Sequence, residues 1–360
     1  MNRLEQRSIL LLENATKSKD TFKTYMYNLK RFKDFYKIKD YDSLLTIELN
    51  KLSQMVEDYI IYLKKTVSPN SIPTMYYGIE LFFAMNNVTL NTKKIRRLFP
   101  AKVKRTGFKP YTTQDIQNML KATGRKRDKA FIHFLASTGA RIGVVDDLKI
   151  KHVKQISDSD YEVCKKVLMY EGTEEEYTGF LTPEASKSLD EYLEERVDDG
   201  ERLNPDSAIF RTIYASGLVR PKPLTKSGAK NIIYRALTEA KINRIKLGHA
   251  YDIQMDHGFR KRFNTILKLN NDVNSNVAEK LMAHKRGLDG TYLKPTDEEC
   301  FKEFKKAIRD LTIDDSIRLQ YENKLKDQKI NELETDKDRR ISNLEKAIDE
   351  VKKLLGQQKP

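Results

Sequence analysis

Three segments of the chain carry residue types suited to chemistry on a phosphate ester. The first, S-T-G-A-R-I-G-V-V-D-D-L over residues 137–148, places Arg141 just past Gly139, at the turn into a following helix. A guanidinium there can aim its fork at a phosphate while a helix N-terminus adds amide donors. The second, D-H-G-F-R-K-R-F-N-T over residues 256–265, puts His257 and Arg260 three apart on one helix face, with Phe259 and Phe263 four apart to seat another side in the core. An imidazole beside a guanidinium suits a phosphate in transition. Asp256 is placed to cap this helix, and Lys261 and Arg262 read as solvated or as contacts to a phosphodiester backbone. The third, L-M-A-H-K-R-G-L-D-G-T-Y over residues 281–292, has His284 after a helix end and Tyr292 beyond Gly287 and Gly290. Tyrosine attacks phosphorus when a base or a cationic site favours its phenolate. Taken singly, these segments equally describe a surface arginine, a solvated basic helix and one packing tyrosine among 18.

Other chemistries are disfavoured by what the sequence lacks. The five histidines, His133, His152, His249, His257 and His284, form no H-E-x-x-H pair, and no Cys/His cluster has zinc spacing. No G-x-x-x-x-G-K-[ST] and no G-x-S-x-G occurs. No metal or other cofactor is called for.

The 360 residues suggest two domains, with three the upper bound. The net charge is +15, which points to a polyanionic partner. That charge is local: residues 91–130 hold 13 Lys or Arg against two acids, Asp115 and Asp128. Pro100, Gly107 and Pro110 break any helix there, so the stretch reads as a basic linker over residues 101–111 between two folded regions. Lys102, Lys104, Arg105 and Lys109 are its candidate DNA contacts, which would give salt-dependent, sequence-blind affinity. Cys164 and Cys300 cannot make a disulfide framework, which favours a reducing, intracellular setting; with the DNA contacts, the expected location is cytoplasmic and nucleoid-associated. The apolar run Ile9–Leu12 is too short for a signal peptide or a membrane span.

The elements that must position these residues are mainly helical. Phe22, Tyr25, Leu29, Phe32 and Tyr36 step by three and four, and Ile72, Ile79 and Phe82 repeat the stripe beyond a boundary at Ser68-Pro69, so residues 1–100 read as a small helical bundle with aromatic stripes as its core. In the second region, residues 112–312, Thr112 or Thr113 caps a helix to Leu120, and Phe131, Phe134 and Leu135 line another ending at Thr138-Gly139. Val163–Tyr170 and Tyr177–Leu181 form a β-hairpin around G-T-E-E. Thr182-Pro183 opens a helix, residues 194–206 are a polar loop, and Thr225 caps a helix to Ala240. Thr296-Asp297-Glu298-Glu299 is a capping box before Phe301, Phe304, Ile308 and Leu311. From Ile330 the apolar positions 330, 333, 341, 344, 348, 351 and 355 fit heptads with one stutter near Lys337, the pattern of a coiled coil over the 313–360 tail. The fold class is therefore mainly α with a small antiparallel β-sheet.

In order and together, Arg141, His257-x-x-Arg260, His284 and Tyr292 resemble the tyrosine recombinase (phage integrase) family. The resemblance spans residues 17–311, includes the opening T-F-K-T-Y-M-Y-N-L-K-R-F, and around G-L-D-G-T-Y-L-K-P-T-D-E-E is most similar to archaeal integrases. It implies a helical core-binding domain and a mixed α/β catalytic domain that clamp double-stranded DNA as a homotetramer on paired sites, with no membrane role. It implies that Arg141 and Arg260 clamp the scissile phosphate, that His257 and His284 handle protons and hold phosphate oxygens, and that Tyr292 attacks to give a 3′-phosphotyrosyl link without ATP or metal. It also implies that the segment Phe301–Leu311 is exchanged between protomers. The sequence departs from the family twice. The hairpin turn G-T-E-E-E has Glu174 where the family carries a lysine, leaving Lys165 and Lys166 on the preceding strand as general-acid candidates. Val144 stands three residues after the first arginine, where the family often has an acid; Asp146 and Asp147 follow. Two other readings share these features: a type IB topoisomerase-like enzyme, and a catalytically impaired DNA-binding architectural protein.

Overall fold

The computed structural model describes residues 7–103, 109–156, 163–212, 222–247, 250–284 and 294–356. The chain divides into two compact units, Met1–Thr106 and Gly107–Pro360.

The first unit is built from α1 (Arg7–Ala15), α2 (Lys19–Phe35), α3 (Asp42–Leu45), α4 (Leu49–Thr66), α5 (Ile72–Met85) and α6 (Thr92–Arg97). Ser18 starts α2 by accepting from the Thr21 amide, Glu48 starts α4 by accepting from Asn50 and Lys51, and a 3-10 turn at Pro69–Ser71 separates α4 from α5. The aromatic stripes are core: the buried Phe32 ring meets Tyr36, Tyr59 and Phe83 edge-on at 5.4, 5.2 and 6.4 Å between centroids. The first part of the basic run, Thr92–Arg97, is helix α6 of this unit. Lys94 pairs with Glu57 at 2.7 Å and Arg96 with Glu80 at 2.9 Å, so part of the sequence-local charge is matched by acids distant in the chain.

The second unit holds α7 (Thr113–Ala122), α8 (Lys126–Thr138), β1 (Val153–Ile156), β2 (Cys164–Met169), β3 (Tyr177–Leu181), α9 (Pro183–Asp198), α10 (Lys226–Glu239), the short pair β4 (Lys246–Leu247) and β5 (Ala250–Tyr251), α11 (His257–Leu269), α12 (Ser275–Leu281), α13 (Asp297–Lys305), α14 (Ile308–Leu311) and α15 (Asp315–Gly356). The predicted caps at Thr112, Thr182, Thr225 and Thr296 all form, two of them as full capping boxes with Asp115 and Glu299. The hairpin pairs Lys165 with Leu181 and Met169 with Tyr177, and β1 adds to the β2 side to complete an antiparallel β1-β2-β3 sheet. The V-K-Q-I of β1 carries too weak an alternation to be read as a strand in isolation; its pairing with β2 makes it one.

Several expectations are corrected here. Helix α9 runs on to Asp198, into the stretch read as loop from residue 194, because Arg196 is buried and donates to the Ala208 and Ile209 carbonyls and, through Nε, to Glu201. Asp256 does not cap α11: its backbone is helical and its side chain makes no capping bond, the Gly258 amide donating instead to the Gln254 carbonyl. Arg127, in the basic run, is buried, bonded to Asp128 and the Arg211 carbonyl. The apolar positions 301–311 form two short helices rather than one. Phe301 and Phe304 meet Phe180 at 5.3 and 5.5 Å, and Ile308 and Leu311 are buried in the same cluster.

The core of this unit has two parts. One joins α7–α10 to the inner sheet face, and the other joins β3, α12, α13 and α14. Helix α11 lies where they meet, with Phe259 in the first and Phe263 in the second. The start of α15 is tied down: the Glu184 carboxylate accepts from the Ile313 and Asp314 amides at 2.6 and 3.0 Å. No described helix is long and apolar enough to cross a membrane.

Candidate phosphate-binding site

Arg260 is the joint of the site. It lies in the first turn of α11 and is only 7% exposed. Its guanidinium donates through one nitrogen to the Gly139 carbonyl at 2.9 Å and through the other to the Met282 carbonyl. Those two carbonyls belong to the two turns that precede Arg141 and His284. One side chain thus fastens together segments that are 121 and 22 residues from it in the chain. Burial pushes the Arg260 pKa down, with the nearby Arg141 charge adding to that and Tyr177 opposing it.

Both turns need left-handed backbone. Gly139 ends α8 at φ +57°, and a Cβ there would sit 2.7–2.8 Å from atoms of Phe263, one turn further along the same helix as Arg260. Ala283 adopts φ +49° despite its side chain, and Tyr170 at the end of β2 adopts φ +59°. Non-glycine residues in this region are sparse and concentrate where a fold holds a site against its own local preference. Gly258, next to His257, seats the start of α11 against Tyr111: a Cβ there would meet that ring at 2.5 Å.

Arg141 is half-exposed and immediately precedes a short 3-10 turn, Ile142–Asp146, rather than a full helix, so the amide-rich helix start expected beside it is only one turn. Its guanidinium reaches Glu175 on the hairpin turn at 3.5 Å. The acid that meets the arginine is therefore Glu175, not Glu174. Of the acids after Arg141, Asp146 accepts from the Lys226 amide at 2.7 Å, and Val144 is buried. Tyr170 and Tyr177 stack at 6.3 Å beside the two arginines. Burial raises the Tyr177 hydroxyl pKa, with Arg260 and Arg141 opposing it, and raises that of Tyr170 to about 12, so neither supplies a phenolate near neutrality.

His284 is oriented by a residue outside the motifs read from the sequence. Its Nδ1 lies 2.6 Å from the Glu279 carboxylate, and its amide donates to the Glu279 carbonyl at 2.9 Å. A carboxylate on Nδ1 fixes the proton there and leaves Nε2 to face a ligand. Burial would raise the Glu279 pKa, but the bonds from Lys268 and His284 outweigh it and hold the carboxyl low. The signal available in sequence was a carboxylate five residues before the histidine, on the last turn of α12.

His257 is exposed at the start of α11, and its ring makes no hydrogen bond to the described residues. The two residues after Arg260 differ from the expectation and from each other. Arg262 is buried, donating to the Leu311 and Asp310 carbonyls and to the Thr113 hydroxyl at 3.1–3.3 Å, and burial lowers its pKa to about 10. It clamps the domain rather than facing a ligand. Lys261 is half-buried.

The two lysines on β2 point to opposite faces. The Lys165 ammonium is held by Asp190 of α9, and that of Lys166 by Asp297 of α13 at 2.9 Å. Lys102 is exposed, and Lys109 pairs with Asp252 at 3.4 Å. Tyr292, Lys104 and Arg105 lie outside the described residues.

Comparison with known proteins gives a consistent frame. The model of the phage integrase family matches residues 80–289, a stretch that holds Arg141, His257, Arg260 and His284 and ends before Tyr292. None of the curated proteins matches the sequence. Among solved structures, the chain is similar to XerH site-specific recombinase bound to difH substrate in a pre-cleavage complex, at 16% identity and a TM-score of 0.51, over 77% of this chain and 79% of that one. It is also similar to a lambda integrase tetramer bound to a Holliday junction, at 16% identity and a TM-score of 0.51, over 80% and 75%. A lambda integrase(75-356) dimer bound to a COC′ core site scores 0.50 at 16% identity, over 79% and 92%. Identities of this size speak to the fold alone.

Proposed function

The chain belongs to the phage integrase family, and on that footing we propose that it is a site-specific DNA recombinase that cuts and rejoins strands through a 3′-phosphotyrosyl intermediate. The observation that supports this reading is the Arg260 fork, which ties the turn before Arg141 to the turn before His284. Arg141 and Arg260 hold the non-bridging oxygens and stabilise the charge that develops on them. The phenolate oxygen of Tyr292 attacks phosphorus, the bond to the 5′-oxygen breaks, and that oxygen takes up a proton. Exposed His257 and the Glu279-oriented His284 are the groups free to exchange protons with the reacting oxygens. Lys165 or Lys166 would have to leave Asp190 or Asp297 to serve as general acid. The phosphotyrosyl ester keeps the energy of the broken bond, so attack by a 5′-hydroxyl reseals the strand without ATP.

In this reading Glu175 occupies the Arg141 guanidinium until a phosphate displaces it. The partner is duplex DNA, gripped with the help of Lys102, Lys104, Arg105 and Lys109 in the segment around the boundary between the two units, and the working form is a homotetramer on paired sites. A second reading, a DNA-binding protein impaired in catalysis, is favoured by one observation: the hairpin turn offers carboxylates where the family has its lysine.

The test uses nicked duplexes from a randomised pool, so that no target sequence is assumed. Wild-type protein should yield a covalent protein–DNA band on a denaturing gel from a selected subset, and Tyr292→Phe should yield none. An adduct that persists in Tyr292→Phe would remove the nucleophile assignment, and DNA binding without any wild-type adduct would favour the second reading.

A further inference from the structure

Helix α15 presents an apolar stripe with no described partner along most of its length. Ile330, Leu333, Ile341, Leu344 and Ile348 are 51, 58, 42, 63 and 53% exposed. A helix of this kind is poorly stable in water unless the stripe is covered. The spacing runs 3-4-4-3-4 through Lys337, and the sequence continues it with Val351 and Leu355. In heptad terms Ile330, Ile341 and Ile348 take the a positions, and Leu333 and Leu344 take d. β-branched residues at a with leucine at d favour two parallel strands over three or four.

The charges flanking the stripe choose the orientation. Lys329 and Arg340 precede a positions, at g, and Glu334 and Glu345 follow d positions, at e. In a parallel, in-register pair each g residue faces the e residue five positions later on the other helix, which sets Lys329 against Glu334 and Arg340 against Glu345, opposite charges in every case. An antiparallel pair would set e against e and g against g, bringing glutamate against glutamate and base against base. In the single chain, Lys329 pairs with Glu332 at 3.5 Å and Arg340 with Asp336 at 2.8 Å, both well exposed and therefore easily exchanged.

We propose that α15 from Ile330 onward is a parallel, in-register, two-stranded coiled coil with α15 of a second copy of this chain, formed without DNA. Its root is fixed to the second unit by Glu184, so pairing of the tails tethers two such domains. The proposal does not depend on strand-cleaving activity and is read without it.

The full-length protein, free of DNA at micromolar concentration, should sediment at twice the 42.0 kDa chain mass. Glu334→Lys with Glu345→Lys should weaken the dimer at least tenfold, and adding Lys329→Glu and Arg340→Glu to the same chain should restore it. These positions are exposed and outside the packed domains, so the melting transition of those domains serves as the control while the helical signal of the tail falls with the dimer. Leu344→Cys should form a disulfide between two copies on mild oxidation, since equivalent d positions meet only in a parallel register; Cys164 and Cys300 are buried and do not compete. A monomer, a trimer or a tetramer for the wild type, an unchanged dimer after charge reversal, no rescue by the fourfold swap, or no Leu344→Cys cross-link would each overturn the proposal.

Discussion

Gly139→Ala should damage the site out of proportion to the single carbon it adds. Two costs follow from the structure. Alanine held at φ +57° costs about 1–2 kcal/mol in left-handed backbone. Its Cβ would also lie 2.7 Å from Cδ1 and 2.8 Å from Cβ and Cγ of Phe263. A ring buried in the second core cluster relieves that only by moving α11, and overpacking of this kind costs about 1–3 kcal/mol. Reduced freedom of the unfolded chain returns about 0.4–1 kcal/mol. The net loss is about 1–4.6 kcal/mol, or roughly 2–18 °C in the melting temperature of a unit this size. Because Phe263 and Arg260 share a helix and Gly139 supplies an acceptor for Arg260, the same shift moves both arginines against each other. Misplacement by about 1 Å is enough to cost about 100-fold in rate. Thermal melting by circular dichroism gives the first quantity; adduct formation on nicked DNA, at a temperature where wild type and variant are both folded, gives the second. The converse swap, Ala283→Gly, should raise stability by about 0.5–1 kcal/mol, since it relieves φ +49° and adds no atoms. If Gly139→Ala melts within a degree of wild type and cleaves at its rate, the coupling of the Arg141 turn to α11 is refuted.

Other outcomes are expected. Glu279→Gln should leave DNA affinity unchanged and lower the cleavage rate about tenfold, equal to about 1.4 kcal/mol of barrier, by freeing the His284 tautomer; an unchanged rate would show that the carboxylate only packs. His133 is neutral in the fold, its pKa pushed down to about 4 by burial with Lys129 adding to it and Asp314 opposing. The unfolded chain takes up that proton near pH 6.5, so stability is full above that value and falls by up to about 3 kcal/mol as pH drops from 6.5 toward 4. Glu184 nearby, its pKa raised by burial, works in the opposite sense. Denaturant midpoints across the range should show the slope in wild type and lose most of it in His133→Phe; equal slopes would sink the assignment. Replacing Lys102, Lys104 and Arg105 with alanine should flatten the log–log salt dependence of DNA affinity by about 2–3 units, and an unaltered slope would deny this segment a phosphate-contacting role.

What was legible in the sequence was local. Capping residues act within three positions of the helix they start, and apolar stripes at steps of three and four describe one face of one helix. Thr112, Thr182, Thr225 and Thr296, the Phe22–Tyr36 stripe and the hairpin around Gly172 are therefore all readable from neighbouring residues alone. So is the order of Arg141, His257, Arg260 and His284, because residue type limits which chemistry a phosphate ester can meet.

The tertiary structure decided what adjacent, similar residues do. Within R-K-R at 260–262, one arginine bridges the site's two turns, the lysine is half-buried, and the other arginine is a buried clamp on α14 and Thr113. Their roles differ because about 100° of helix rotation per residue points them at different neighbours, and nothing in their identities records which neighbour that is. The same holds for Glu175 over Glu174 and for the Glu279 carboxylate behind His284. It holds too for Lys94 and Arg96, whose charges count toward a basic run in the sequence but are met by Glu57 and Glu80 in the fold. Residue identity sets the inventory of charges and faces; only folding brings residues many positions apart to within about 3 Å, and both the pairing of charges and the geometry of catalysis depend on that distance.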